Sequence, residues 1–114
     1  MVRNGFYRVL FGGTAYSAVN IFMLKDGAAV GFSVDGDECS GTYDFDPVRK
    51  LVRFDVIATI RPNVTLVTGQ IMGTAPMKVR LEGDAPVPDP TSRFTFDLGG
   101  RSVDVAMTFL RPLP

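Results

Sequence analysis

The sequence predicts a single antiparallel all-β domain, because apolar and polar residues alternate with a period of two in several segments. The clearest is residues 102–109, in which every second side chain is bulky and apolar. Three further segments alternate in the same way: Val52/Phe54/Val56/Ala58, Met77/Val79/Leu81 and Phe94/Phe96/Leu98. Strands of this kind have one buried face and one solvated face. At 114 residues the chain suffices for one hydrophobic core, so residues 1–114 are expected to form one domain.

Turn residues divide the chain into nine predicted strands. Gly12-Gly13 closes the first strand, and Asp26-Gly27 predicts a two-residue type I′ hairpin between the second and third. Asp46-Pro47-Val48-Arg49 predicts a type I turn before the longest strand. Three prolines within residues 85–90 predict a loop, since proline cannot donate to a ladder. The predicted strands are 5–11, 17–25, 28–34, 39–45, 50–60, 64–72, 77–82, 94–98 and 101–110.

Eight or nine strands joined mostly by short turns predict an up-and-down, lipocalin-like β-barrel rather than a Greek-key sandwich, which needs long crossovers. Closure of the barrel would place the last strand beside the first. The interior of such a barrel holds side chains or one small ligand.

Composition and charge argue against several classes of partner. Twelve basic and twelve acidic residues cancel, so the chain lacks the basic surplus of a nucleic-acid-binding protein. No apolar stretch approaches the roughly 18 residues of a membrane helix. The single cysteine, Cys39, excludes an internal disulfide, and the N-terminal residues do not resemble a secretory signal. We therefore expect a cytoplasmic protein that binds neither nucleic acid nor membranes.

The chain contains no histidine, which removes the usual base for a serine or cysteine nucleophile and a common metal ligand. Acidic residues are dense in one region, but they fall in predicted turns, where aspartate bonds to nearby backbone amides. These acidic residues are Asp35, Asp37, Glu38, Asp44 and Asp46. Cys39 lies in a predicted strand, where a small buried hydrophobe is favoured over a redox sensor. The sequence thus predicts no catalytic site, metal site or cofactor.

The second predicted strand is apolar on both faces, with Asn20 the one polar residue between Ala18 and Leu24. If Asn20 faces water, Phe22 and Leu24 face outward with it and leave an apolar stripe outside the barrel. We therefore expect Phe22 and Leu24 to form the contact of a homodimer.

When its predicted strands are followed in order, the chain resembles the GrlR-like family. The members of this family are small lipocalin-like negative regulators of bacterial type III secretion. The resemblance covers most of the chain and is carried by Asn4-Gly5-Phe6-Tyr7-Arg8-Val9-Leu10-Phe11, Lys25-Asp26-Gly27, Gly36-Asp37, Ser40-Gly41-Thr42-Tyr43 and Thr108-Phe109-Leu110-Arg111-Pro112-Leu113. It implies a dimeric barrel that represses secretion genes by binding a transcriptional activator. The acidic run that carries this contact in the family prototype matches Asp44-Phe45-Asp46-Pro47, which retains two acids.

Two functions are therefore left open by the sequence. The first is a regulatory protein that binds its partner through Asp35, Asp37, Glu38, Asp44 and Asp46. The second is a carrier of an apolar small molecule, held in a cavity of the barrel. The side chains predicted to line that cavity are Met23, Phe54, Met77, Phe94, Phe96, Met107 and Phe109.

Overall fold

The computed structural model describes residues 2–12, 17–33, 36–60, 77–98 and 101–114, and eight strands lie in these ranges. They are β1 (Gly5–Gly12), β2 (Ser17–Lys25), β3 (Ala28–Ser33), β4 (Glu38–Asp46), β5 (Leu51–Ile60), β6 (Met77–Pro86), β7 (Thr91–Leu98) and β8 (Arg101–Pro112). The all-β prediction is confirmed. The additional strand predicted over 64–72 lies outside the described residues. Within the described ranges no helix is long and apolar enough to span a membrane.

The strands form one antiparallel sheet in the order β6-β5-β4-β3-β2-β1-β8-β7, curved into a nearly closed barrel. The last strand pairs with the first, as predicted: Val9 lies opposite Met107. The two edge strands, β6 and β7, approach each other across a seam. There the ring of Phe96 lies so close to Gly83 that a Cβ on Gly83 would stand 2.8 Å from it. Side-chain packing therefore brings the two edges together.

Three connections explain where the adjoining strands begin and end. Asp26 and Gly27 both have positive φ angles, 50° and 90°, as the predicted type I′ hairpin requires. The carboxylate of Asp46 accepts hydrogen bonds from the backbone N–H groups of Val48 and Arg49 at 3.0 and 3.2 Å. The predicted loop over 85–90 begins later than expected, because β6 continues to Pro86. Because β6 is an edge strand, it can accommodate a proline.

The buried faces of β5 and β8 are those that the alternation predicts. Val52, Phe54, Val56 and Ala58 are buried on β5, and Val103, Val105 and Met107 are buried on β8. Aromatic rings meet inside the barrel: Phe54 stacks on Phe94 with centroids 6.4 Å apart, and Phe94 meets Phe96 edge to face at 5.2 Å. Together these residues form part of one hydrophobic core.

Strand β2 has the opposite orientation from the one predicted. Phe22 and Leu24 are 5% and 0% exposed and belong to the core, and Asn20 is buried beside them. The reason is the register with β1, in which Phe22 lies directly opposite the buried Tyr7. Directly opposite residues of an antiparallel pair point to the same face of the sheet. The prediction that Phe22 and Leu24 form an outer dimer face is therefore wrong.

The same register overturns one predicted cavity-lining residue. Met23 alternates with Phe22 and Leu24, so it lies on the outer face of the barrel, opposite Phe6 on β1 and Val30 on β3. It is half-buried and does not belong to the core. An outward side chain cannot line the interior.

Candidate protein-binding surfaces

The outer face of β1, β2 and β3 carries a group of apolar side chains, which we call the outer patch. Val19, Ile21 and Phe32 are 40%, 43% and 52% exposed, and four half-buried residues surround them. The outer patch consists of Phe6, Leu10, Val19, Ile21, Met23, Val30 and Phe32. Isolated exposed apolar residues are normal, but a contiguous group on three adjoining strands is typical of an interaction site.

Two charged residues border the outer patch on opposite sides. Arg8 on β1 lies opposite Ile21, and Glu38 on β4 lies opposite Phe32. Both are exposed, and neither forms an ion pair or side-chain hydrogen bond within the described part of the chain. Their charges are therefore available to a partner.

The outer face of β5 and β6, with the adjoining turn, has a different chemistry, and we call it the charged face. The guanidinium of Arg80 contacts the carboxylate of Asp55 through two hydrogen bonds of 2.9 and 2.7 Å. Arg53 lies within 3.9 Å of Glu82, and Arg49 donates to Asp84 at 3.1 Å. The Arg80 guanidinium holds the pKa of Asp55 below its usual range. Each of these arginines thus has a carboxylate partner in its own chain.

The described acidic residues that were predicted to bind a partner protein lie at the two ends of β4. Glu38 and Asp46 are the first and last residues of β4, which puts them about 26 Å apart. Asp37 belongs to a turn in which its backbone N–H donates to the hydroxyl of Ser33. Asp44 is exposed beside Arg53, and Asp46 caps its own turn. Asp35 lies outside the described residues.

Most of the predicted cavity-lining side chains pack against one another inside the barrel. Phe54, Phe96 and Met107 are buried, and Phe94 and Phe109 pack against the core. The Phe109 ring also meets Tyr7 edge to face at 5.2 Å, and the guanidinium of Arg3 lies 3.7 Å from its centre. The side chain of Met77 lies outside the described part of the chain. In the part of the chain that the structure describes, these side chains therefore belong to the core or pack against it.

A partly open groove of about 540 Å³ lies along β1, β7 and β8. Its lining combines apolar side chains such as Leu10 and Phe94 with the charged Arg93 and Asp104. Among the described residues of the predicted cavity lining, Phe94 is the one that borders it. The groove therefore differs from the internal apolar cavity that the sequence suggested.

Two polar residues inside the barrel stand out from their apolar neighbours. Ser92 is 3% exposed, and its hydroxyl has no hydrogen-bond partner in the described structure. It lies opposite Met107, while Asn20 lies opposite Val9 in the same row of inward residues. An unpartnered buried hydroxyl costs free energy, so it is the feature of the interior that most favours a bound polar group.

Cys39 does not behave as a reactive thiol. Burial, and to a smaller extent the charge of Asp37, raise its pKa to about 11. The thiol is therefore protonated at neutral pH, whereas reactive cysteines have lowered pKa values. This agrees with the prediction of a small buried hydrophobe.

Sequence reasoning missed Arg8, Val19, Ile21, Val30 and Phe32 as parts of a surface. The signal was present in the hairpin turn, because Asp26-Gly27 fixes Met23 opposite Val30 and Ile21 opposite Phe32. Neither a comparison with protein-family models nor one with curated proteins found a match to this chain.

Proposed function

We propose that this chain is a non-enzymatic regulatory protein that acts by binding other proteins. The observation that carries the proposal is the outer patch, which exposes Val19, Ile21 and Phe32 on a barrel whose described interior is packed. Protein-binding surfaces of this kind combine an apolar centre with a polar rim. Arg8 and Glu38 supply that rim.

The resemblance to GrlR-like negative regulators of type III secretion indicates which kind of partner the chain would bind. In this proposal the chain acts in the cytoplasm and holds a transcriptional activator away from its genes. Within the matching segment Asp44-Phe45-Asp46-Pro47, Asp44 is the acidic residue better suited to the contact, since it is exposed, whereas Asp46 is engaged in its own turn. Repression then needs no contact between this chain and DNA, in agreement with its zero net charge.

Affinity purification of the tagged chain from its own host, with and without chemical crosslinking, tests the proposal. We expect a transcriptional activator to co-purify with the wild type and to be lost from Asp44→Lys. Asp104→Lys is the matched control, because Asp104 is an exposed aspartate on β8, four strands away in the sheet. Equal recovery of the activator with all three proteins would move the contact away from Asp44, and its absence from all three would contradict the regulatory role.

A carrier of a small molecule is the second candidate, and the buried hydroxyl of Ser92 is the observation that favours it. A ligand with a hydrogen-bonding group and an apolar body would satisfy that hydroxyl among the aromatic rings. Native mass spectrometry of protein purified from its host provides the test. A retained small molecule that is lost from Ser92→Ala would support the carrier, and a spectrum with the mass of the bare chain would count against it.

A further inference from the structure

The groove along β1, β7 and β8 has a floor of small residues on the outer face of the sheet. Ala106 lies on the middle strand, directly opposite Arg93 on one side and Leu10 on the other. Two residues away on β8, Asp104 lies directly opposite Gly12. Because Ala106 has only a methyl group and Gly12 has no side chain, a depression forms between the larger side chains. Its volume of about 540 Å³ is in the usual range for a small-molecule site.

Two opposite charges border this groove without contacting each other. Arg93 and Asp104 are exposed, and within the described ranges neither forms an ion pair or a side-chain hydrogen bond. They are diagonal neighbours on β7 and β8, since Arg93 lies opposite Ala106 and Asp104 lies opposite Thr95. Long side chains of diagonal neighbours can reach each other. The distance between the strands therefore does not explain why these two charges are separate.

The charged face contains the same arrangement with the opposite outcome. Arg80 lies opposite Ile57, and Asp55 lies opposite Glu82, so this arginine and aspartate have the same two-residue offset in the same direction. There the guanidinium and the carboxylate form two hydrogen bonds of 2.9 and 2.7 Å. Equivalent positions in the ladder thus give a closed ion pair on the charged face and two separate charges at the groove.

From these separate charges and the apolar floor between them, we infer that the groove binds a free α-amino acid with an apolar side chain. The guanidinium of Arg93 donates to the carboxylate of the ligand, and the carboxylate of Asp104 accepts from its ammonium group. The apolar side chain of the ligand lies on Ala106 and against Leu10.

A free amino acid matches the groove better than a peptide does. Its ammonium and carboxylate groups are attached to the same carbon atom, so one small molecule presents both charges to two diagonal neighbours. In a peptide the terminal charges are separated by the length of the chain, and each inner residue has neither of them. A ligand with one charge would leave either Arg93 or Asp104 without a partner.

This inference goes beyond the regulatory role and does not rest on it. Asp44 lies on β4, whereas both charges of the groove lie on β7 and β8. A change at Asp104 therefore leaves the activator contact proposed for Asp44 in place. Amino-acid binding is measured on the purified chain with no activator present, so failure of the groove site and failure of the regulatory role are separate results.

Titration of the purified chain with L-leucine, followed by two-dimensional amide NMR, is the first test. The signals of Gly12, Thr95 and Ala106 should shift in a saturable way, with a Kd of about 1 mM or below. N-acetyl-L-leucine lacks the ammonium charge, and L-leucine methyl ester lacks the carboxylate. Each should bind at least about tenfold more weakly than L-leucine, because one charged contact is lost. Glycine should also bind more weakly, because it has no apolar side chain to cover the floor.

Paired changes in ligand and protein are the decisive test. Arg93→Gln should weaken binding of L-leucine at least about tenfold and leave binding of the methyl ester unchanged, since that ligand has no carboxylate. Asp104→Asn should weaken L-leucine to a similar extent and leave N-acetyl-L-leucine unchanged. Arg53→Gln is the control, because it removes an exposed arginine of the charged face and should change none of these affinities. The amide spectrum of each free variant shows whether it is folded.

Three results would overturn the inference. The first is the absence of saturable shifts up to about 20 mM L-leucine. The second is an unchanged affinity for L-leucine in both Arg93→Gln and Asp104→Asn. The third is tighter binding of N-acetyl-L-leucine, the methyl ester or the dipeptide alanyl-leucine than of L-leucine, which would assign a singly charged or peptide ligand to the groove.

Discussion

The outer patch on β1–β3 and the charged face on β5–β6 belong to the same side of one continuous sheet, yet they expose different side chains to water. The charged face exposes paired charges, and the outer patch exposes apolar groups. On the charged face, Arg80 and Asp55 pair through two hydrogen bonds. On the outer patch, Ile21 and Phe32 are exposed side by side, and the nearest charges have no partner in the described chain. Both strand groups have buried inner faces, so the interior does not explain the difference.

The difference shows that two parts of the outer face of one small barrel can have different surface chemistry although both cover the same core. Exposed ion pairs contribute little to stability, so the charged face is better understood as a solvated surface than as a stabilising one. The outer patch leaves Val19, Ile21 and Phe32 between 40% and 52% exposed on adjoining strands. A surface of that kind has to be explained by what it binds.

The strongest test of this comparison truncates one side chain on each face of β2 and compares the loss of stability. Phe22→Ala should destabilise the fold by about 3 to 5 kcal/mol, because it removes a buried ring. Ile21→Ala should cost less than about 1 kcal/mol in the monomer, since its side chain is half in water. Urea unfolding of both variants, at dilutions where the wild type is monomeric, measures the two changes.

If Ile21→Ala proves as costly as Phe22→Ala, the inner and outer faces of β2 are misassigned. The outer patch would then not exist, because a shift of one residue exchanges every side chain between the faces.

Strand β4 separates the two surfaces, and Gly41 allows its close approach to β5. A Cβ on Gly41 would stand 2.6 Å from the Cα of Val56 and would collide with the carbonyl oxygen of Asp55. Gly41→Ala should therefore destabilise the protein by about 1 to 3 kcal/mol, as overpacking does. Thermal unfolding followed by circular dichroism measures the loss.

Gly12→Ala is the matched control, because a Cβ there has nothing nearer than 4.0 Å. Equal melting temperatures for Gly41→Ala and the wild type would mean that β4 and β5 can separate without cost. The two surfaces would then be less firmly joined than their shared sheet indicates.

Much of the fold was predictable because the signals are local. Period-two alternation indicates the buried faces of β5 and β8, and the turn at Asp26-Gly27 indicates the β2–β3 hairpin. The extension of β6 to Pro86 was not predictable, since the exclusion of proline from a strand depends on whether the strand is an edge.

Alternation alone predicts the wrong face of β2, because the strand is apolar on both sides and the lone Asn20 is a misleading marker of the solvent face. The pairing across the hairpin contains a better signal. It sets Phe22 opposite Gly31 and Leu24 opposite Ala29, large residues against small ones. A Cβ on Gly31 would stand 2.7 Å from the Phe22 ring, so the small partner makes room for the large one. Limited volume of that kind is typical of a barrel interior.

The placement of Arg8 and Glu38 on opposite sides of the outer patch was beyond sequence reasoning for a different reason. These residues are far apart in the chain, and their relation appears only when four strands are placed side by side in register. The acidic residues, in contrast, are close in sequence and separate in space, because β4 extends between them. Proximity along the chain was a poor guide to the surface.

The smallest expected effect concerns the charged face. Asp55 has its pKa lowered mainly by the hydrogen bonds from Arg80, so Arg80→Gln should raise the pKa of Asp55 toward its ordinary value. Because the folded pKa of Asp55 is depressed, the contribution of the pair is present above the unfolded pKa and is lost as pH falls through the folded one. Carboxyl chemical shifts of Asp55 during an acid titration measure the folded pKa in both proteins, with Lys78→Gln on the same strand as the control. An unchanged Asp55 titration in Arg80→Gln would mean that Arg80 does not stabilise the ionised form of Asp55 in solution. The charged face would then differ from the outer patch in its residue composition and not in the pairing of its charges.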